Sequence, residues 1–241
     1  IIIYIFPWSS LISDDYPKKR LFDREEIAAK ILGREDRKYG DHSGNRVLCR
    51  FYNQGSIGDQ SSSFSGVYPL GSGHSYIWEF SPVIAASVID TSGNRKRIVS
   101  DGLRGLVDQS PEGTPWSFEP LAGYANPNQE NMAMSDNSST WPTTWPNRGA
   151  DWDGEWNGQY GKYVRADQES YFVMDDYYNS EYEFWPDLND TPESSTESPD
   201  DHRRGLGIDL EVRGYQWNHP AAEDIIIVTY WITNIGSNVL D

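Results

Sequence analysis

Apolar residues recur at every second position along several stretches of this chain, the two-residue period of a β-strand. Ile208, Leu210 and Val212 alternate with Asp209, Glu211 and Arg213, which predicts a half-buried antiparallel strand within residues 207–217. In Tyr76-Ile77-Trp78-Glu79-Phe80 the aromatics fall at alternate positions, so a strand over 75–80 would place them on one face. Further strands are predicted at 45–52, 83–90, 96–100, 170–174 and 224–233. Asp90-Thr91-Ser92-Gly93-Asn94 supplies the hairpin turn between the second and third of these. Ile225-Ile226-Ile227-Val228 is apolar throughout and suits a central strand. One helical period stands out, over Arg24–Leu32. Asp23 is its N-cap, Glu26 completes a capping box and Gly33 sits at C′. The predicted fold is mainly β: an antiparallel β-sandwich with one short N-terminal helix. Phe51, Tyr76, Trp78 and Phe80 should share one core with Ile208, Leu210, Val212, Ile226 and Val228, bringing residues 45–100 against 207–233.

The division expected from the pattern is an N-terminal segment, 1–44, followed by an incomplete β-sandwich domain, 45–241. Residues 102–161 form an ordered loop insertion within that domain. The apolar run Ile1–Trp8 reads either as the end of a signal-peptide apolar region or as a first strand; it is too short to span a membrane. The turn signal Asn234–Asn238 follows a strong strand with no partner after it, so the chain is expected to be an N-terminal fragment of a larger exported protein.

Composition sharpens this picture. The 241 residues are 14% aromatic and include 21 Gly and 14 Pro, a balance that favours strands and turns. The single cysteine, Cys49, cannot form an intrachain disulfide. Four scattered histidines give no zinc pattern. The net charge of −17 is unevenly placed: the first 105 residues carry 14 Lys and Arg against 12 Asp and Glu, the remainder 6 against 25. A phosphate backbone needs a basic face, so nucleic acid is not an expected partner.

The insertion carries the candidate chemistry. Trp116, Trp141, Trp145, Trp152 and Trp156 lie in it, two of them in the local repeat Trp141-Pro142-x-x-Trp145-Pro146. Trp141, Trp145, Trp152 and Trp156 are read in two ways: as an aromatic platform for a sugar ring, or as large side chains that staple the loop to the sheet. Within Asp151–Asp201, fifteen Asp and Glu face one Lys and one Arg, yet the segment is too aromatic for a disordered acidic tail. A hard cation offsets such repulsion, and Asp151, Asp153, Glu155 and Asn157 place oxygen ligands at alternate positions around Gly154. Ca²⁺ is therefore the expected ion, with these four as ligands; the competing reading is a solvated acidic face. Asp187-Leu188-Asn189-Asp190 is a weaker cluster of the same kind. Asp167, Glu169, Asp175 and Asp176 are of the type a glycosidase uses, although pairs arise by chance in so acidic a chain. Arg203 and Arg204 follow the acidic stretch, and at least one should pair with a carboxylate from 155–187.

Two sets of residues carry a resemblance. Arg50–Gly58, Tyr68–His74 and Trp78-Glu79-Phe80 look like the start, and Gln168–Asp176, Arg203–Gly207 and Gly214–Trp217 the middle, of large uncharacterised exported proteins of Bacteroidota-type bacteria. Such proteins often end in a type IX secretion sorting domain. The resemblance covers roughly residues 45–241. It implies a secreted or cell-surface, β-rich, multidomain protein and transfers no catalytic residue. The expected function is a non-enzymatic extracellular structural or adhesive module stabilised by Ca²⁺. The alternative is a carbohydrate-active protein, a sugar-binding module or a glycoside hydrolase fragment, that uses the Trp-rich loop. Polysaccharide, another cell-surface protein and further C-terminal domains are the expected partners.

Overall fold

The computed structural model describes residues 2–5, 34–58, 64–103, 108–111, 113–187, 191 and 202–241. Among these residues ten strands run in chain order: β1 (Ile2–Ile5), β2 (Tyr39–His42), β3 (Cys49–Tyr52), β4 (Val83–Ile89), β5 (Arg95–Asp101), β6 (Glu119–Pro120), β7 (Ala133–Met134), β8 (Gln168–Asp175), β9 (Ile208–Gln216) and β10 (Ile227–Asn234). The main sheet has the order β1-β10-β9-β8-β6, with β7 also on β8. All its pairings are antiparallel except β1 on β10. Two hairpins, β2–β3 and β4–β5, complete the β structure. Among the described residues there is no α-helix, only three single-turn 3₁₀ segments; the helix predicted over Arg24–Leu32 lies outside them. No helix of the described residues is long and apolar enough to cross a membrane.

The central strands explain themselves through their alternation. Phe172 and Met174 of β8, Ile208, Leu210 and Val212 of β9 and Val228 and Tyr230 of β10 face one side. There they form one core with Cys49, Phe51, Ile57, Val88, Ile98 and Ile226. Residues 45–100 thus pack on 207–233 as their patterns predict. The β2–β3 pairing crosses the expected 44/45 division. Gly44 N–H donates to both Gln168 and Gln216, tying that point of the chain to the main sheet.

The predicted half-burial of 207–217 is corrected, because every residue of β8 and β9 is buried. The second face, bearing Glu169, Tyr171, Val173 and Asp175 beside Tyr215, Arg213, Glu211 and Asp209, is covered by the 102–161 insertion. Charge survives there because it is paired in place. Arg213 lies 3.9 Å over the Tyr171 ring, 3.3 Å from Glu211, and donates to the Asn157 carbonyl at 2.5 Å. Buried guanidinium groups persist only with such partners.

The segment 75–80 also departs from expectation. It joins its neighbours only through single bridges, Val67 to Ser75 and Ile57 to Phe80. Phe80 packs against the core with Ile77, but Tyr76 and Trp78 are 71% and 69% exposed. Two glycines set this direction. A Cβ on Gly66 would come within 2.7 Å of the Ile77 side chain and one on Gly58 within 3.3 Å. Ile77 fills the hollow these glycines leave, and its two aromatic neighbours are turned outward.

Candidate functional site

The Trp-rich insertion is a packed layer. Trp145 and Trp156 are 1% and 2% exposed and form a second core with Tyr124, Ala133, Tyr171 and Val173. Trp141 and Trp152 are half-buried against it. The rings meet at angles, 47° between Trp141 and Trp156 and 86° between Trp145 and Trp156, so the four do not lie in one plane. Their polar tips are used inside the fold: Trp141 donates to the Met134 carbonyl, Trp145 to that of Glu155, and Trp156 to the Glu169 carboxylate at 2.8 Å. Glu169 also accepts from the Arg165 and Ala166 N–H groups. One buried carboxylate therefore pins both the loop and its strand, through charge-assisted bonds of the stronger kind. The outer tyrosines of this loop are occupied too. Arg165 lies 4.5 Å over Tyr160 and 5.4 Å over Tyr163, and Trp152 carries Arg148 at 4.5 Å and Lys162 at 5.4 Å.

The oxygen ligands expected for Ca²⁺ differ in exposure and in their partners. Asp151, Asp153 and Glu155 are exposed, whereas Asn157 is buried. Asp151 pairs with Lys162 at 2.8 Å, which holds its carboxyl below the usual range. The Asn157 side-chain oxygen accepts from Arg148 at 2.9 Å. Among the described residues no three His, Cys, Asp or Glu side chains converge where an ion could sit. Of Asp187–Asp190, the last three residues lie outside the described set.

The carboxylates proposed for hydrolysis are dispersed by strand geometry. Asp175 and Asp176 take opposite faces of the sheet. Asp175 pairs with Arg203 at 3.1 Å, the ion pair expected for one of the two arginines. Arg204 instead donates to the Tyr182 and Phe184 carbonyls. Asp176 is sealed on the front, accepting from Ser100 Oγ and from the Leu206 and Ile208 N–H groups; burial pushes its carboxyl up to about 6. Glu169 and Asp175 share a face but are six residues apart, about 20 Å along a strand, beyond the reach of a glycosidase pair. Asp167 caps the Asn218 N–H at 2.6 Å. His42 and Ser170 lie 2.8 Å apart, yet both are fully buried, and burial lowers the imidazole pKa to about 3. That pair is closed to any substrate.

The described surface holds one aromatic pair with different properties, on the projecting loop 68–78. The loop is fixed at its base. Val67 and Leu48 exchange backbone bonds at 2.8 and 3.0 Å, Leu70 N–H reaches the Arg46 carbonyl, and Tyr68 N–H that of His74. Arg46 lies over the Tyr68 ring and pairs with Asp224 at 3.0 Å. Beyond it, Tyr76 and Ile77 N–H groups bond to Ser65, and Ile57 and Phe80 exchange two further bonds. Residues 69–76 are all exposed, so Tyr76 and Trp78 project from a backbone held on both sides. Neither ring contacts another ring or a cation, and neither polar tip has a partner among the described residues. At the foot of the loop Glu79 accepts from Ser56. Burial, followed by the nearby Glu79 charge, raises the Asp101 carboxyl, against a lowering by the Leu103 N–H. The surface thus offers two aromatic faces, a phenol and an indole N–H. Such a set fits a ring with an apolar C–H face and hydroxyl groups at its rim.

No family model, no curated protein and no solved structure matches the chain. The site therefore rests on its own geometry.

Proposed function

We propose that this protein is a non-enzymatic extracellular or cell-surface binding module with a β-sandwich architecture, and that it holds a saccharide chain against Tyr76 and Trp78. One observation carries the reading: two large aromatics are 71% and 69% exposed on a backbone fixed at both ends, with ring faces and polar tips uncommitted among the described residues. Leaving side chains of this size in water forgoes roughly 1.5–3 kcal/mol of burial each. The same fold buries Trp145 and Trp156 completely, so the outward placement is specific to this loop. An acidic chain with a net charge of −17 favours neutral polyols over polyanions as ligands. The adhesive role and the export expected from the resemblance agree with a module that binds and does not turn over. A glycan array probed with the wild-type protein and with the Tyr76→Ala/Trp78→Ala double variant tests it. Binding to a defined set of glycans that disappears in the double variant supports the proposal. No glycan bound by the wild type, or equal binding by both proteins, rejects it.

A further inference from the structure

We propose that Arg165 anchors a second, protein-binding surface, where it takes an aspartate or glutamate side chain from a segment of another polypeptide. The arginine is fixed in place before any partner arrives. Its guanidinium lies 4.5 Å over the Tyr160 ring and 5.4 Å over that of Tyr163, and donates to the Tyr163 hydroxyl at 3.0 Å. Its backbone is tied as well: the N–H donates to Glu169 at 2.6 Å, and the carbonyl accepts from the Trp217 indole at 3.2 Å. The supporting rings are held in turn. The Tyr215 hydroxyl donates to Gln159, whose amide donates to the Tyr160 hydroxyl. Tyr163 crosses over Gly161, where a Cβ would come within 2.7 Å of the ring. Trp217 stacks on Tyr215 with 15° between the planes.

An arginine carries five N–H donors, and Tyr163 takes one of these. Among the described residues the guanidinium meets no carboxylate. The other cations of residues 106–241 are used differently. Lys162, Arg203 and Arg213 each pair with an acid, while Arg148 donates to the Asn157 side chain and Arg204 to two carbonyls. The acids nearest Arg165 in sequence are engaged: Asp167 accepts from the Asn218 N–H, and buried Glu169 accepts from Trp156. A planar fork already held between two rings has little rotamer freedom left to lose on binding, and its shape matches a carboxylate through two parallel bonds.

The surroundings choose the carrier of that carboxylate. Tyr160 is 63%, Tyr163 49% and Val164 39% exposed, so the fork stands in an aromatic and apolar surface. Arginine, tyrosine and tryptophan are the side chains that anchor protein interfaces. The segment Asp151–Asp201 sets fifteen acids against Lys162 and Arg165 alone. That field repels a polyanion and admits one negative charge on an apolar body. A second copy, with the same net charge of −17, is repelled in the same way. The partner is therefore a neutral or basic protein that presents one Asp or Glu among apolar residues.

The test selects a displayed library of random decapeptides on the whole protein. Selected peptides should share one Asp or Glu beside aromatic or aliphatic residues. On the wild-type protein, replacing that acid by its amide should weaken binding at least about tenfold. Arg165→Gln should weaken the acidic peptide as much and leave the amide peptide unchanged. Arg165→Lys should recover only part of the loss, because an ammonium group lacks the planar fork. The amide comparison uses the wild-type protein, so it decides the matter whether or not a variant folds. No selected peptide, selected peptides without a shared acid, or an acid that its amide replaces without loss overturns the proposal. So does a concentration-dependent dimer in sedimentation that Arg165→Gln abolishes, which would assign the fork to a second copy. Loss of glycan binding in Arg165→Gln would assign it to an acidic sugar and overturn the proposal equally.

Discussion

The Trp-rich insertion and the projecting loop are built from the same kinds of residue and use them in opposite ways. In the insertion every large aromatic is engaged: buried in a core, donating to a carbonyl, a carboxylate or, for Trp116, the Ser180 hydroxyl, or covered by Arg148, Lys162 or Arg165. Among the described residues, Tyr76 and Trp78 of the loop make no such contact, although the backbone beside them is bonded on both sides. The difference lies beneath them. The insertion lies over a sheet face carrying Glu169, Glu211 and Arg213, polar groups that need partners: the Trp156 indole donates to Glu169, the Asn157 carbonyl accepts from Arg213, and Arg213 in turn pairs with Glu211. The loop lies over Gly58 and Gly66, where the hollow admits one aliphatic side chain, and Ile77 takes it. Aromatic content alone therefore does not mark a binding surface; what matters is whether the ring and its polar tip are already used.

The largest way to break this contrast is to empty the insertion. Trp145→Ala removes a 1%-exposed indole and its bond to the Glu155 carbonyl. The expected loss is about 3–5 kcal/mol of unfolding free energy, read by denaturant titration. A loss under about 1 kcal/mol would show that the insertion is not a core layer.

Much of the fold was legible in the sequence because its period survives in the structure. Ile208, Leu210, Val212, Ile226 and Val228 lie in the core, as their alternation and apolar run indicate. The hairpin at Asp90–Asn94 forms, with Asp90 accepting from the Ser92 and Asn94 N–H groups. What alternation could not convey is which face of a strand is covered by distant chain. The polar residues of β9 look solvent-facing until a sixty-residue insertion, 102–161, is laid over them. The same limit misplaced Tyr76 and Trp78: two-residue spacing put them on one face with Phe80, whereas Phe80 packs with Ile77 against the core and the other two rings are exposed. Two glycines far from them in sequence decide that. Asp175 shows the converse, since a shortage of basic residues was enough to anticipate that Arg203 or Arg204 would pair with a carboxylate from 155–187, and Arg203 on Asp175 is such a pair.

A second test is pH, where two buried groups act in opposition. His42 has its pKa lowered by burial from 6.5 to about 3. The unfolded chain therefore binds a proton that the folded one refuses, and stability falls as pH drops from 6.5 towards 3. Asp176 is raised from 3.8 to about 6, so its contribution is full below 3.8 and is lost as pH rises through 6. Between about pH 4 and 6 the two slopes, each at most about 1.4 kcal/mol per pH unit, offset one another. Melting temperatures at pH 4, 5 and 6 should then fall more steeply towards acid in Asp176→Asn than in the wild type, and less steeply in His42→Gln. Parallel curves for all three proteins would contradict the buried placement of both groups.

A smaller effect is expected from cations. With Asp151 tied to Lys162 and the Asn157 oxygen to Arg148, millimolar Ca²⁺ and Na⁺ at equal ionic strength should give the same melting midpoint. A Ca²⁺-specific rise of several degrees that Asp153→Ala removes would instead establish a site closed by the ion.

The smallest change in stability should accompany the largest change in binding, and this is the most direct test of the contrast. Unfolding free energy and affinity for an array-selected glycan are measured on two double variants, Tyr76→Ala/Trp78→Ala and Trp141→Ala/Trp152→Ala. The first should unfold within about 0.5 kcal/mol of the wild type and bind at least tenfold more weakly. The second should lose stability and keep its affinity once folded. Affinity retained in the first and lost in a fully folded second would place the contact surface on the insertion and contradict the account.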